Sequence, residues 1–216
     1  MKPDDKGWLP NFKKLVWIFV ITCFIGYIVE IIFCIVWYGK LENRQGVLYG
    51  PFTQVYGIGA IIMCFTVIPI SKYGFIPTFL VSALVGGTVE FASSYCEELI
   101  FGTRSWNFSN HLLTLDGRTS LPMMLAWGAL GYTFAKWIYP CLNKWIDKIK
   151  ITKSNAMCAI TAIFFVANFT LSGLAVDRWM ERIHGQQADT RIDSFLDRIY
   201  PDSRMAFIFP KIEPVD

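Results

Sequence analysis

Apolar residues along this chain run in long blocks, not at the spacing of a half-buried surface helix. Five stretches, Leu15–Tyr38, Val55–Ile70, Phe75–Phe101, Leu121–Tyr139 and Ala156–Val176, are dominated by them, and no charged residue occurs between Arg44 and Lys72. About 20 such residues in a helix cross the hydrocarbon core of a bilayer. The pattern therefore predicts an all-α fold, a polytopic membrane helix bundle with about five transmembrane helices. The second stretch is the shortest and contains Pro69. The organisation that follows is an N-terminal segment (residues 1–14), a transmembrane domain (15–176) and a C-terminal tail (177–216). Within the tail, Ile192, Phe195, Leu196 and Ile199 recur at i, i+3, i+4 and i+7 between Asp189 and Pro201. That spacing predicts a short amphipathic helix, either lying on the membrane surface or docked on the bundle.

The polar exceptions inside the spans carry the functional information. Glu30 interrupts the first, and Glu90, Ser94 and Glu98 stand four residues apart on one face of the third. A carboxylate near the middle of a bilayer costs about 2.5–3.5 kcal/mol on insertion scales and faces a bundle interior or a wet cavity. Glu97 points to another face and reads as a surface residue. Shifting the chain by 60 residues superposes Phe19 on Phe79, Gly26 on Gly86, Val29 on Val89, Glu30 on Glu90 and Arg44 on Arg104. Lys14 and Lys72 precede the two glutamates by similar lengths, which sets both acids at a depth on the order of 25 Å from the membrane edge. These matches raise a parallel helix-hairpin repeat and predict that Glu30 and Glu90 share one interior site, closed from outside by Arg44 and Arg104. The alternative is that the acids only lock helices together through hydrogen bonds.

Composition agrees with the membrane reading. Hydrophobic residues make up 54% and charged residues 17%, with a mean hydropathy of +0.40, too little polar surface for a water-soluble domain of this size. The first apolar run is too long for a signal peptide and lacks a small-residue cleavage site, so it reads as a retained helix. Before the tail, basic residues number ten on the N-terminal side of the spans and four on the other. This predicts a multi-pass cell-membrane protein with a cytoplasmic N-terminus and an outside C-terminus. Six cysteines without a C-x-x-C pair, together with two histidines, give no disulfide framework and no metal site. Ser109 and His111 lack the companion acid of a nucleophilic triad, and no catalytic residue is assigned. These residues contain no G-x-x-x-x-G-K-[ST] stretch, so ATP hydrolysis through a P-loop would need another subunit. No cofactor and no nucleic acid is implied.

The unusual loops fall on one side. Gly46, Gly50 and Pro51 read as a tight connection, with a re-entrant turn as the alternative, and Trp37, Trp106 and Tyr139 read as interface-belt residues. Asn143–Lys153 reads as a solvated basic loop. The run Asn43-Arg44 … Leu48-Tyr49-Gly50-Pro51 … Val55-Tyr56-Gly57-x-Gly59 resembles the first signature of the CmpB-type ABC-transporter permease family. Glu90-Phe91 … Ser94 … Glu98 … Phe101-Gly102 … Arg104 … Trp106, followed by Ser109 and Gly117-Arg118, resembles its second. The resemblance covers about residues 15 to 175. Thr53-Gln54 stand where the family has Cys-Pro, Asn107-Phe108 replace Asp-Tyr, and Thr114 replaces Asn. It implies a small multi-pass protein of a bacterial inner membrane, with a separate ATPase subunit or a second copy of the chain as partner besides the lipid bilayer. The function expected is a transporter or permease component with a polar intramembrane site open to the outer face. Glu30, Arg44, Glu90, Ser94, Glu98, Arg104, Trp106 and Arg118 are its substrate- or ion-binding candidates. The alternatives are a membrane-embedded enzyme or envelope-processing factor acting on lipid-like substrates, or a scaffold.

Overall fold

A computed structural model describes residues 10–150 and 153–215. Lys2 and Lys6, the first nine residues of the N-terminal segment and residues 151 and 152 of the basic loop lie outside that range. The helices are α1 (Phe12–Tyr38), α2 (Gln54–Ile70), α3 (Phe75–Phe101), α4 (Leu121–Thr133), α5 (Tyr139–Lys148), α6 (Asn155–Ile183), α7 (Arg191–Ile199) and α8 (Asp202–Ile208). Four short strands, β1 (Thr103–Arg104), β2 (Thr114–Leu115), β3 (Thr119–Ser120) and β4 (Glu213–Pro214), form two antiparallel pairs, β1 with β4 and β2 with β3.

Among the described residues four elements, α1, α2 with its terminal turn, α3 and α6, are long and apolar enough on their own to cross a membrane. The fifth expected span, Leu121–Tyr139, belongs to a composite element. α4 runs through a π-helical turn, Phe134–Ile138, directly into α5, giving one continuous rod. Pro140 supplies a reason for the turn: its ring would clash with the carbonyl of Lys136 in a regular helix, and a wider turn relieves that. The rod starts from the β2–β3 hairpin, which Arg118 and Thr119 tie to α3, and ends beside the start of α1. At one end of the bundle the Lys13 ammonium donates to the Lys153 carbonyl (3.0 Å), and Lys14 reaches Asn143 (2.8 Å) and Asp147 (2.9 Å). At the other end β1 pairs with β4, Val215 N–H donates to the Gly102 carbonyl (2.8 Å) and Lys211 pairs with Glu42 (3.5 Å). The expected basic loop shrinks accordingly. Asn143–Lys148 belongs to α5, because Leu142 and Ile146 recur on one face and are buried against the core. Tyr139 is 9% exposed in that core and is not a belt residue, whereas Trp37 is 72% exposed.

The connection between α1 and α2 dips into the bundle. Thr53 N–H donates to the Cys23 carbonyl near the middle of α1 (3.1 Å), so α2 starts at mid-depth. Leu48 N–H donates to Ser172 Oγ (2.9 Å), and Tyr49 exchanges a pair of bonds with the Asn168 amide, N–H to Oδ1 at 3.2 Å and Nδ2 to carbonyl at 2.7 Å. The re-entrant reading of this segment therefore holds over the tight external turn. Gly50, at φ +89°, makes the reversal that Pro51 then fixes.

The helix-hairpin repeat is visible in the packing. The Tyr56 ring of α2 lies against Gly26 of α1, and the Trp127 ring of α4 lies against Gly86 of α3, so close that a Cβ on either glycine would overlap the ring. One residue on, Gly57 meets Phe19 and Gly128 meets Phe79. Phe19 and Phe79, like Gly26 and Gly86, are the pairs that superpose in the sequence. The equivalent rings Tyr56 and Trp127 meet each other, centroids 5.5 Å apart, as two copies of one hairpin related by an approximate twofold would place them.

The tail docks on the bundle. A capping box between Thr190 and Asp193 starts α7, and Leu196, Tyr200 and Met205 bury against Val176, Trp179 and Leu48. Arg178 grips Asp197 with Nε and Nη2, both at 2.9 Å, and Arg182 binds Asp197 and Asp202. The hydrogen bonds from Arg178 hold the Asp197 carboxyl below the usual carboxylate range, against the opposing effect of burial. A depressed carboxylate contributes docking energy that is complete above its ordinary value of about 3.9 and is lost as pH falls through its lowered one.

Two outcomes follow. Asn168→Leu leaves the Tyr49 N–H and carbonyl without their partner, about 1–3 kcal/mol for each group, and should lower the thermal unfolding midpoint of the purified protein, whereas Thr170→Leu on the exposed face of α6 should not. A fluorophore at the exposed Ser203 should report a docked tail at neutral pH, with loss of anisotropy only below about pH 3.9; Asp197→Asn should lose it at neutral pH already.

Candidate intramembrane polar site

Glu30 sits one turn beyond Gly26 on α1. The early start of α2 brings Tyr56 into its first turn at that depth, and the Tyr56 hydroxyl donates to Glu30 Oε1 at 2.7 Å. Glu90 occupies the equivalent place on α3 and is 8% exposed. Its donor comes from the second connection: the β2–β3 hairpin carries Thr119 down to the helix, and Thr119 Oγ1 donates to Glu90 Oε2 at 2.6 Å. Trp127 adds a second side-chain hydrogen bond to Glu90, and the two carboxylates lie within electrostatic reach of each other. Among the described residues neither acid has an ion-pair partner within 4.0 Å.

Arg44 acts on this pair from one side only. It lies within electrostatic reach of Glu30, but its direct contacts are Cys34 Sγ (3.3 Å) and Glu42 (3.7 Å). Its carbonyl accepts from Thr53 Oγ1 at 2.8 Å. Its buried Nε has no hydrogen-bond partner among the described residues, nor has Oε1 of Gln54.

Arg104, expected to close the same site, is held elsewhere. It binds Glu98 and the Asp116 carbonyl (3.3 Å). Arg118, 3% exposed, reaches Asp116 (2.7 Å), Glu98 (2.8 Å) and the hydroxyl of Ser94 (3.4 Å), with its guanidinium over the rings of Tyr95 and Phe91. Burial alone would lower the Arg118 pKa, but the bonds to Asp116 and Glu98 outweigh it and hold the guanidinium above its ordinary value. Trp106 Nε1 donates to the Arg118 carbonyl (2.9 Å). Two acids and two arginines make this cluster charge-neutral and hydrogen-bonded throughout. Its consequence is positional: it ties the hairpin to α3 and so delivers Thr119 to Glu90. Glu97 is not a plain surface residue, since it accepts from Ser105 (2.8 Å) and Thr103 (3.2 Å) at the same hairpin base.

The sequence candidates thus fall into two groups, Glu30, Arg44 and Glu90 around the helix interior, and Ser94, Glu98, Arg104, Trp106 and Arg118 around the hairpin. On the face of the second group, a cleft of about 400 Å³ opens between Arg104, Trp106, Lys211 and Glu213. Tyr56, Thr119 and Trp127 were not foreseen. Tyr56 and Trp127 share one signal, an aromatic residue directly before a glycine in the second helix of each hairpin. Thr119 has none, because a β-turn fixes its reach. At two of the departures from the family pattern the side chains serve the loops: Asn107 Oδ1 accepts from the Ser109 backbone (2.9 Å) and Thr114 Oγ1 from Gly117 N–H (3.1 Å).

Arg118→Lys keeps the charge but cannot fork between two carboxylates. It should loosen the hairpin, seen as faster hydrogen exchange over residues 106–120 and a lower unfolding midpoint, while Arg191→Lys on the surface changes neither.

No curated protein and no solved structure matches this chain. Residues 17–173, which hold both hairpins, both glutamates and the hairpin lock, match the family described as "Putative ABC-transporter type IV". The chain belongs to that family.

Proposed function

We propose that this protein is the membrane-spanning component of a transporter in which Glu30 and Glu90 hold one positive charge, a proton or a small cation, inside the bundle. The observation that carries this reading is a charge count. Two carboxylates lie within electrostatic reach of each other, and the cation near them, Arg44, acts on Glu30 and is shared with Glu42. One negative charge is left over at a depth where an uncompensated charge is costly, and an exchangeable cation or proton is what such a pair attracts. Tyr56, Thr119 and Trp127 orient the oxygens. Ser94, Glu98, Arg104, Trp106 and Arg118 act at a distance by holding the hairpin. The cleft beside Arg104 and Trp106 serves as the approach from the face that carries the tail, which we assign to the outside because, before the tail, basic residues number ten at the other end and four at this one. ATP-driven steps in this scheme belong to a separate subunit on the cytoplasmic face, against the α5–α6 connection.

Glu90→Gln separates carrying charge from holding helices together. The amide keeps the shape and the hydrogen bond from Thr119, so membrane abundance should equal that of wild type, while complementation of a deletion strain should be lost. Glu90→Leu should lower abundance as well. A Gln variant that complements fully would reduce Glu90 to helix packing and overturn the reading. For orientation, an impermeant thiol reagent on intact cells should label Ser109→Cys and leave Lys148→Cys unlabelled; the reverse pattern inverts the topology.

A further inference from the structure

The tail carries a feature that neither docking nor the polar site uses. Among the described residues, the other arginines are engaged: Arg44 by Cys34 and Glu42, Arg104 and Arg118 by Glu98, Arg178 and Arg182 by Asp197, and Arg204 by the Ile199 carbonyl and the Tyr200 ring. Arg191 and Arg198 alone have neither an acid nor a hydrogen-bond acceptor among those residues. They stand seven apart on α7, two turns along one face and about 10 Å in rise. Ser194 and Phe195 lie between them, and these four residues line a shallow cleft of about 230 Å³.

Depth and hydrophobicity say what covers this face. Asp197 is held by Arg178 and Arg182, and Leu196 is buried against Val176 and Trp179. The apolar run of α6 ends at Val176. α7 therefore lies where hydrocarbon gives way to headgroups. Phe195 is 46% and Ile192 61% exposed on the outer flank of the helix, an unfavourable state in water and a favourable one at the acyl boundary. Arginine stems extend along apolar surface while the guanidinium reaches phosphate depth, and the planar fork matches phosphate oxygens.

We propose that this face of α7 is a binding site for an anionic phospholipid, with Arg191 and Arg198 donating to the headgroup phosphate and Phe195 against the first acyl carbons. A soluble phosphate would satisfy the arginines but leave Ile192 and Phe195 uncovered, so the source is the bilayer. The site is independent of Glu30 and Glu90.

The test uses the full chain in nanodiscs of phosphatidylcholine, with or without phosphatidylglycerol. Wild type should gain thermal stability from phosphatidylglycerol and retain it in native mass spectrometry after detergent extraction. Arg191→Gln/Arg198→Gln should lose that gain, with retention falling about tenfold or more, while its unfolding midpoint in pure phosphatidylcholine stays at the wild-type value. Phe195→Ser should weaken retention with both arginines present and so keeps the proposal testable if the double variant expresses poorly. Glu90→Gln should retain the lipid like wild type, whatever it does to transport. Equal retention by wild type and the double variant would overturn the proposal, as would equal stabilisation of wild type by inorganic phosphate in pure phosphatidylcholine.

Discussion

Backbone that leaves helical geometry inside a membrane must find its hydrogen bonds within the protein, because lipid offers none. The segment Val47–Thr53 meets that demand at three points, through Ser172 and Asn168 of α6 and the Cys23 carbonyl of α1. What distinguishes the first hairpin from two plain helices depends on those bonds. They let α2 begin at mid-depth, which puts Tyr56 rather than a loop residue beside Glu30. They also make α6 a structural partner of the first hairpin, so the last crossing cannot drift away from the repeat.

The second hairpin solves the same problem with charge. Its connection is longer, and in place of amides from α6 it uses the Glu98–Arg104–Asp116–Arg118 cluster at the end of α3. Taking so many ionised groups partly out of water is tolerable because each has an opposite charge and a directed hydrogen bond. The two halves reach one outcome, a hydroxyl donor delivered to a glutamate one turn beyond a packed glycine, through unrelated chemistry.

That contrast explains what the sequence discloses. The spans were legible because hydropathy in 20-residue blocks is a strong signal, and the repeat because the costly residues Glu30 and Glu90 recur with Phe19 and Phe79, Gly26 and Gly86. The continuous rod from α4 to α5 was not legible as such, since Pro140 and the lysines that follow resemble a helix end. The dipping connection reads as a tight turn, contrary to the structure, for a related reason: Gly50-Pro51 fits an external turn as well as an internal one, and its partners Asn168 and Ser172 lie over a hundred residues away in a helix that reads as plain apolar. The tail helix showed in its spacing of apolar residues, but its docking rests on Arg178 with Asp197, a pairing no periodicity predicts. Of the candidate residues, the carboxylates and arginines announced themselves by being out of place in a membrane. Which arginine serves which carboxylate depended on loop geometry.

The decisive difference between the halves is the fate of the repeated arginine. Arg44 and Arg104 occupy the same place in the sequence repeat, yet only Arg44 stays within reach of its glutamate. In the second half, position 98 is an acid, whereas its counterpart in the first is Tyr38. Glu98 captures Arg104, and Asp116 with Arg118 completes a neutral set. The capture that secures the hairpin thereby leaves Glu90 with hydroxyl and indole donors but, among the described residues, no ion-pair partner. A symmetric arrangement would have two neutralised acids and, under the proposed function, nothing to exchange. In the proposed function, loss of symmetry at one residue, Glu98, is what leaves one charge of the duplicated pair unfilled.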